Sequence, residues 1–251
     1  MGYIKNKIAI ITGASSQNDI GTAICRKLAS RGIHIFFTHW NSENDWIEKF
    51  KQEITTMDVL CDSLEIDLSD ANAAFKILDT VEGKLGFPSI LINNAAHSKR
   101  DGYTVLDAKS LDEHYAVNMR STFLLCVEFA RRFENFPIDA GRIINMTSGQ
   151  DLGPMPGELA YAATKGAISA FTRSLSQELA PLGITVNAIN PGPTDSTWMN
   201  DKIREELLPK FPMGRIGLPE DVAHLIAFLT SDEAKWITGQ IINSEGGFIR
   251  G

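Results

Sequence analysis

Short runs of apolar and β-branched residues recur along the chain, separated by longer stretches in which Ala, Leu, Arg, Lys and Glu dominate. The runs at 7–12, 33–38, 63–66, 90–93, 142–146, 185–189 and 239–243 read as seven strands. The stretches at 21–31, 71–82, 111–133, 160–180 and 220–229 read as helices, so strands and helices alternate as in repeated βαβ units. Segments such as Ile8-Ala9-Ile10-Ile11 and Ile90-Leu91-Ile92 show no alternation of apolar with polar positions. Strands of that kind are buried from both sides, and the pattern predicts one α/β domain over 1–251, a parallel sheet of about seven strands with helices on both faces.

Two stretches break the rhythm. Residues 149–157 hold three glycines and two prolines after one strand, and 190–213 hold Pro191, Pro193, Pro209 and Pro212 with Trp198 among them. Both read as long loops at strand carboxyl ends, where an open α/β sheet binds its ligands. Gln150, Asp151, Leu152, Met155, Trp198 and Met199 are the expected pocket lining.

Composition narrows the class of protein. With 251 residues, 43% apolar and 22% charged, the chain is neither disordered nor a disulfide scaffold, and no apolar run approaches the length of a membrane span. A formal charge of -7 with no block of like charges gives neither a phosphate-tracking nucleic-acid surface nor a polybasic membrane patch. Residues 1–7 lack the zones of a signal peptide, which predicts a cytoplasmic protein. Cys25, Cys61 and Cys126 are odd in number and widely spaced, and read as buried thiols with no metal site.

The chemistry sits at the ends of these strands. The first ends in Thr12-Gly13 and leads through Ser15, Ser16, Asp19 and Ile20 to Gly21 and a helix, the order of a dinucleotide loop whose glycines admit a pyrophosphate to the helix N-terminus. Tyr161 and Lys165 lie four apart at a helix start and so share a face; a neighbouring ammonium is expected to lower the phenol pKa and make Tyr161 a tuned proton donor. Ser148 follows the strand at 142–146, where its hydroxyl can meet a substrate carbonyl. Asn118 lies mid-helix, against its propensity, and suggests a helix bend or a polar relay. Asn93-Asn94-Ala95-Ala96 closes another strand.

In order and spacing these motifs resemble the short-chain dehydrogenase/reductase family over residues 7–248, with Thr12-Gly13, Asp67, Asn93-Asn94-Ala95, Asn118, Ser148, Tyr161-x-x-x-Lys165, Pro191-Gly192 and the segment 236–247 carrying the resemblance. The resemblance implies a Rossmann-like doubly wound sheet, a nicotinamide cofactor and commonly a homotetramer. It implies catalytic roles for Asn118, Ser148, Tyr161 and Lys165. It places the cofactor against Gly13, Ser15, Ser16, Ile20, Thr38, Asp67, Leu68, Asn94, Ala95, Tyr161, Lys165, Pro191, Gly192, Thr194 and Ser196. Two departures stand out: Gly13 and Gly21 are eight apart with Asp19 in place of the family's middle glycine, and Ala96 stands where glycine is usual. The first spacing is similar to that of divergent enoyl-acyl-carrier-protein reductases, whereas Ser148 with Tyr161-x-x-x-Lys165 points to carbonyl chemistry.

The second strand ends Phe36-Phe37-Thr38-His39-Trp40, without the carboxylate that would hold a ribose 2′-OH, so NADP(H) is expected over NAD(H), with Thr38 and His39 as phosphate donors. The substrate expected is a small or acyl-carrier-linked ketone, as in the similar 3-oxoacyl-acyl-carrier-protein reductases. The alternatives are an enoyl-thioester reductase and a non-catalytic NADP(H) sensor, the second of which would have no use for a proton donor.

Overall fold

The computed structural model describes residues 7–136 and 140–250. Of the N-terminal segment that the signal-peptide reading concerns, 1–6 lie outside the described residues. Seven strands form one sheet: β1 (Ile8–Ile11), β2 (His34–His39), β3 (Cys61–Glu65), β4 (Ile90–Asn93), β5 (Gly141–Met146), β6 (Ile184–Asn190) and β7 (Ile241–Asn243). All pairings are parallel and the order is β3-β2-β1-β4-β5-β6-β7. The chain therefore builds outward from β1 to β3, returns to the other side of β1 and builds outward again. The reversal between β1 and β4 opens a crevice at their carboxyl ends.

Helices cover both faces. One carries α1 (Ile20–Ala29), α2 (Asn44–Thr55) and α8 (Pro219–Leu229); the other carries α3 (Ala73–Lys84), α5 (Ser121–Phe133) and α6 (Leu159–Leu179). Strand alternation divides β1 between two cores: Ala9 and Ile11 pack with Ile24, Leu28 and Ile226, while Ile8 and Ile10 pack with Ile77, Phe129 and Leu179. That double burial is why the strands read as unbroken apolar runs. Among the described residues no helix is long and apolar enough to cross a membrane, and no group of three or more His, Cys, Asp or Glu could hold a metal ion.

The structure departs from the pattern reading in three places. Helix α2 was not expected, although Ile47, Phe50 and Ile54 recur at helical spacing and are buried, with Trp46 stacked on Phe50 at 5.1 Å. The stretch 190–213 is not all loop: Asn200 caps a short helix, α7 (Asp201–Leu207), by accepting from the Ile203 amide at 3.0 Å. The helix expected at 111–133 starts earlier, as α4 (Ala108–His114), and contains one π-helical turn, Tyr115–Arg120, before α5. Cys25 and Cys126 are buried free thiols as expected, but Cys61 is only half-buried.

Candidate active site

The dinucleotide loop is held by a knot of backbone contacts at the β1–β4 crevice. Thr12 Oγ1 accepts from the amides of Asn94 and Ala95 at 3.0 and 3.1 Å, and Asn94 Nδ2 donates to the carbonyls of Thr12 and Gly13 at 3.0 and 2.8 Å. Gly13 has φ +76°, and a Cβ there would lie 2.8 Å from Ala95 Cα. A Cβ on Gly21 would lie 2.2 Å from the Gly13 carbonyl oxygen. Glycine is required at both positions by close backbone approach, one strand exit against the next.

Thr38 belongs to this knot. Its carbonyl accepts from the Gly13 and Ala14 amides at 3.0 and 2.9 Å, and its Oγ1 lies 3.3 Å from the Gly13 nitrogen. The side chain is buried against the loop, where Oγ1 accepts from the Gly13 amide and keeps its own hydroxyl proton to donate. His39, one residue on, keeps a buried Nδ1 without a partner, and Ser16 Oγ in the loop is likewise buried and unpaired. Burial holds His39 below the usual histidine pKa. Register pairing brings Glu65 of β3 beside His39, a carboxylate that no local reading of β2 could find. Asp67 and Leu68 follow at the β3 exit, where Asp67 Oδ1 accepts from the Ser69 amide at 2.8 Å. At the β6 exit Asn190 Oδ1 accepts from the Gly192 amide at 3.0 Å, Thr194 is buried with its hydroxyl 3.3 Å from the carbonyls of Pro191 and Gly192, and Ser196 lines a cavity together with Asp19. The unpaired Ser16 and His39 atoms, with the glycine-lined approach between them, fit a dinucleotide lying along the strand carboxyl ends.

Ser148, Tyr161 and Lys165 converge where β5 meets α6. Lys165 is buried at 2% exposure, and its Nζ donates to the carbonyl of Met146, the last residue of β5, at 2.8 Å. The ammonium also lies 5.4 Å from the centre of the Tyr161 ring. Burial lowers the Lys165 pKa to about 8. Burial pushes the Tyr161 phenol up to about 12, helped by the charge of Glu158 and opposed by a hydrogen bond with Ser148. The phenol is thus raised where a lowering by its lysine was expected: burial dominates, and the ammonium is aimed at the Met146 carbonyl. At neutral pH Tyr161 is a firmly protonated donor.

Asn118 lies in the π-helical turn. Its Oδ1 accepts from the His97 amide at 2.6 Å, and its Nδ2 donates to the His97 carbonyl at 2.9 Å and to Thr164 Oγ1 at 3.1 Å. Thr164 in turn donates to the Tyr161 carbonyl at 2.8 Å, so Asn118 ties the β4 exit to the start of α6. The loop after β5 is pinned in the same way: Gln150 Oε1 accepts from the Ser148 amide at 3.1 Å, its Nε2 donates to Ser169 Oγ at 3.1 Å, and Ser169 Oγ lies 2.6 Å from Asp151 Oδ2. Gln150 and Asp151 thus brace Ser148 from behind. Of the other expected pocket residues, Met199 is buried with Phe211 and Ile216, Met155 is half-buried, and Leu152 and Trp198 are exposed.

Sequence reasoning missed two groups here. His114 is fully buried, takes the Lys99 amide on Nε2 at 3.2 Å and faces His97 with ring centres 4.6 Å apart. The ion pair of Glu245 and Arg250 joins the β6 exit to the β5 exit, since Glu245 accepts from Asn190 Nδ2 at 2.7 Å and Arg250 lies over Gly149. Neither has a local sequence signal, because each partner comes from a distant part of the chain.

The sequence profile described as Enoyl-(Acyl carrier protein) reductase matches residues 13–249. The chain is 77% identical over 251 residues to an uncharacterized oxidoreductase, YjdA, of Bacillus subtilis (strain 168), covering 100% of both chains. It is 33% identical to the 3-oxoacyl-[acyl-carrier-protein] reductase FabG of Rickettsia conorii, covering 98% of each chain. Among solved structures it is similar to a short-chain dehydrogenase/reductase from Serratia marcescens, at TM-score 0.88 and 32% identity over 96% of this chain and 97% of that one. It is also similar to acetoin dehydrogenase YohF from Salmonella typhimurium, at TM-score 0.85 and 30% identity, covering 96% of this chain and 95% of that one. With a glycine loop at the β1 exit, Tyr161 and Lys165 at the β5 exit and likeness along almost its whole length, the chain belongs to the short-chain dehydrogenase/reductase family, oxidoreductases that bind a nicotinamide cofactor.

Proposed function

We propose that the protein reduces a ketone to a secondary alcohol with NADP(H), the ketone being a 3-oxoacyl thioester or a similar small carbonyl compound. The observation that carries this reading is the convergence of Ser148 and Tyr161 where β5 meets α6, with the buried Lys165 ammonium 5.4 Å from the Tyr161 ring. Two hydroxyl donors converging from a strand exit and a helix start suit a single carbonyl oxygen on which negative charge develops. When bound, the nicotinamide supplies a hydride to the carbonyl carbon. Ser148 and Tyr161 hold the oxygen, and Tyr161 gives it the phenolic proton. The tyrosinate so formed lies beside the Lys165 ammonium, which stabilises it at the step where charge appears. Lys165 also donates to the cofactor ribose in this reading, and Asn118 keeps the β4 exit and α6 in register.

NADP(H) is favoured by the absence of a carboxylate at the end of β2 and by the unpaired Ser16 and His39 atoms; Glu65 beside His39 opposes it by charge. Assembly as a homotetramer is supported by an apolar helix face, where Phe123 and Phe171 stack at 3.8 Å and Leu124 and Tyr115 are exposed. The 3-oxoacyl-[acyl-carrier-protein] reductases among the relatives support an acyl-carrier-linked substrate. The description of the matching family profile favours a second reading, reduction of an enoyl thioester.

Replacing Tyr161 by Phe is expected to leave cofactor affinity nearly unchanged and to lower ketone turnover by ~10² or more, the contribution of a general acid. Steady-state rates within about threefold of wild type would remove Tyr161 from the proton step.

Lys165 gives a pH dependence of definite sign. Its charged form donates to the ribose and is lost as pH rises through about 8 in the free protein, so NADPH affinity should weaken as pH rises through that value. Nicotinamide fluorescence titrations should show this limb in wild type and not in Lys165→Met. A limb of equal slope in the variant would assign it to another group.

The substrate reading is tested by comparing kcat/KM for a 3-oxoacyl and a 2-enoyl thioester of equal chain length, each with NADPH and NADH. The oxo thioester is expected to react faster, and NADPH to bind about tenfold more tightly than NADH, a difference of about 1.4 kcal/mol. Faster reduction of the enoyl thioester would select the second reading, and turnover of neither would favour a sensor.

A further inference from the structure

The extra length between Gly13 and Gly21 places Asp19 at the start of α1, and its carboxylate is turned back into the loop. Asp19 Oδ2 accepts from the amides of Ser15 and Ser16 at 3.0 and 2.9 Å. Two backbone donors of the dinucleotide loop are thus closed on an anion belonging to the protein itself. The Asp19 carbonyl accepts from the Ala23 amide at 3.1 Å, which starts the helix. Close by, Ser16 Oγ is buried with no partner.

The proton count at the other carboxylate oxygen is uneven. Thr22 Oγ1 lies 2.6 Å from the Ser16 carbonyl and 3.1 Å from Asp19 Oδ1. A hydroxyl has one proton to give, and the Ser16 carbonyl, being nearer, takes it. Thr22 Oγ1 and an ionised Oδ1 are then two acceptors face to face. A proton on Oδ1 resolves this, with Asp19 donating to Thr22 and Thr22 to Ser16.

The charged surroundings leave the carboxylate without a free cation. From α1, Arg26 is bound by Glu53 and reaches the Gln17 carbonyl, and the Cys25 thiol is buried nearby. From the segment after β6 comes Asp195, held by Arg204, and from α8 comes Glu220; with Asp19 they line one cavity of about 470 Å³. Burial raises the Asp19 pKa, outweighing the hydrogen bonds its carboxylate accepts from the Ser15 and Ser16 amides.

We propose that Asp19 is a positioning residue that serves as the loop's own anion: it folds the loop around its carboxylate before ligand arrives and takes up a proton from solvent when the anionic dinucleotide binds. A bound phosphate next to an ionised Asp19 is a like-charge pair, and protonation relieves it while completing the Thr22 relay. The inference rests on the dinucleotide site and not on which carbonyl is reduced.

Calorimetric titration with NADH, in buffers of different ionisation enthalpy between about pH 5 and 6, counts the protons taken up. Lys165 is already charged in this range, and NADH lacks the 2′-phosphate that titrates near pH ~6. Wild type is expected to take up a substantial fraction of a proton per NADH bound. In Asp19→Asn the amide oxygen still accepts from Ser15 and Ser16, and the amide nitrogen donates to Thr22. This variant is expected to lose that uptake, to bind NADH about tenfold more tightly and to melt no lower than wild type. Asp19→Ala removes the loop's anchor as well and is expected to melt lower and bind more weakly than Asp19→Asn. Equal proton uptake in wild type and Asp19→Asn, unchanged affinity in Asp19→Asn, or an Asp19→Ala protein that binds and melts like Asp19→Asn would each overturn the proposal.

Discussion

A lysine ammonium sealed inside the protein with one backbone carbonyl for a partner is an expensive group to fold, and the active site is arranged around it. Lys165 Nζ donates to Met146 at the carboxyl end of β5, which ties helix α6 to the strand edge at one point. Ser148 is two residues beyond that carbonyl, and Tyr161 is one helical turn before the lysine. Strand, helix and ammonium together fix where the two hydroxyls meet. Desolvation draws the lysine toward neutrality and the tyrosine toward its protonated form, so the free protein holds a loaded donor with a cation in reserve.

The same economy of atoms recurs on the cofactor side. Parallel strands end together, and at their ends the backbone must find partners outside the sheet. Thr12, Asn94 and Thr38 supply them, and in doing so they bring Gly13, Gly21 and Ala95 into contacts that leave no room for a Cβ at either glycine. Asn118 and Gln150 do the equivalent work for the β4 and β5 exits. Several residues that look like ligand contacts in a motif are therefore engaged with the protein, and the groups left free, Ser16 Oγ and His39 Nδ1, stand beside them.

The parallel sheet was legible because β1 and β4 are buried on both faces and so lack any polar alternation. Ser148, Tyr161 and Lys165 were legible because strand-end position and a four-residue helical step are local properties. Helix α2 escaped notice: its apolar stripe of Ile47, Phe50 and Ile54 is interrupted by charged residues that face solvent. The side-chain direction of Thr38, the approach of Glu65 to His39 and the raised phenol pKa were not legible. Each depends on packing between segments far apart in sequence, and burial in particular has no local signature.

The proposed reduction depends on Ser148 and Tyr161 gripping one carbonyl oxygen beside the buried ammonium. A crystal structure with NADP+ and a 3-hydroxyacyl ester tests it most directly. The 3-hydroxyl oxygen is expected within hydrogen-bond distance of both Ser148 Oγ and Tyr161 Oη, with Tyr161 beside Lys165. A ligand whose 3-oxygen meets neither hydroxyl, or whose ester carbonyl takes their place, would contradict it.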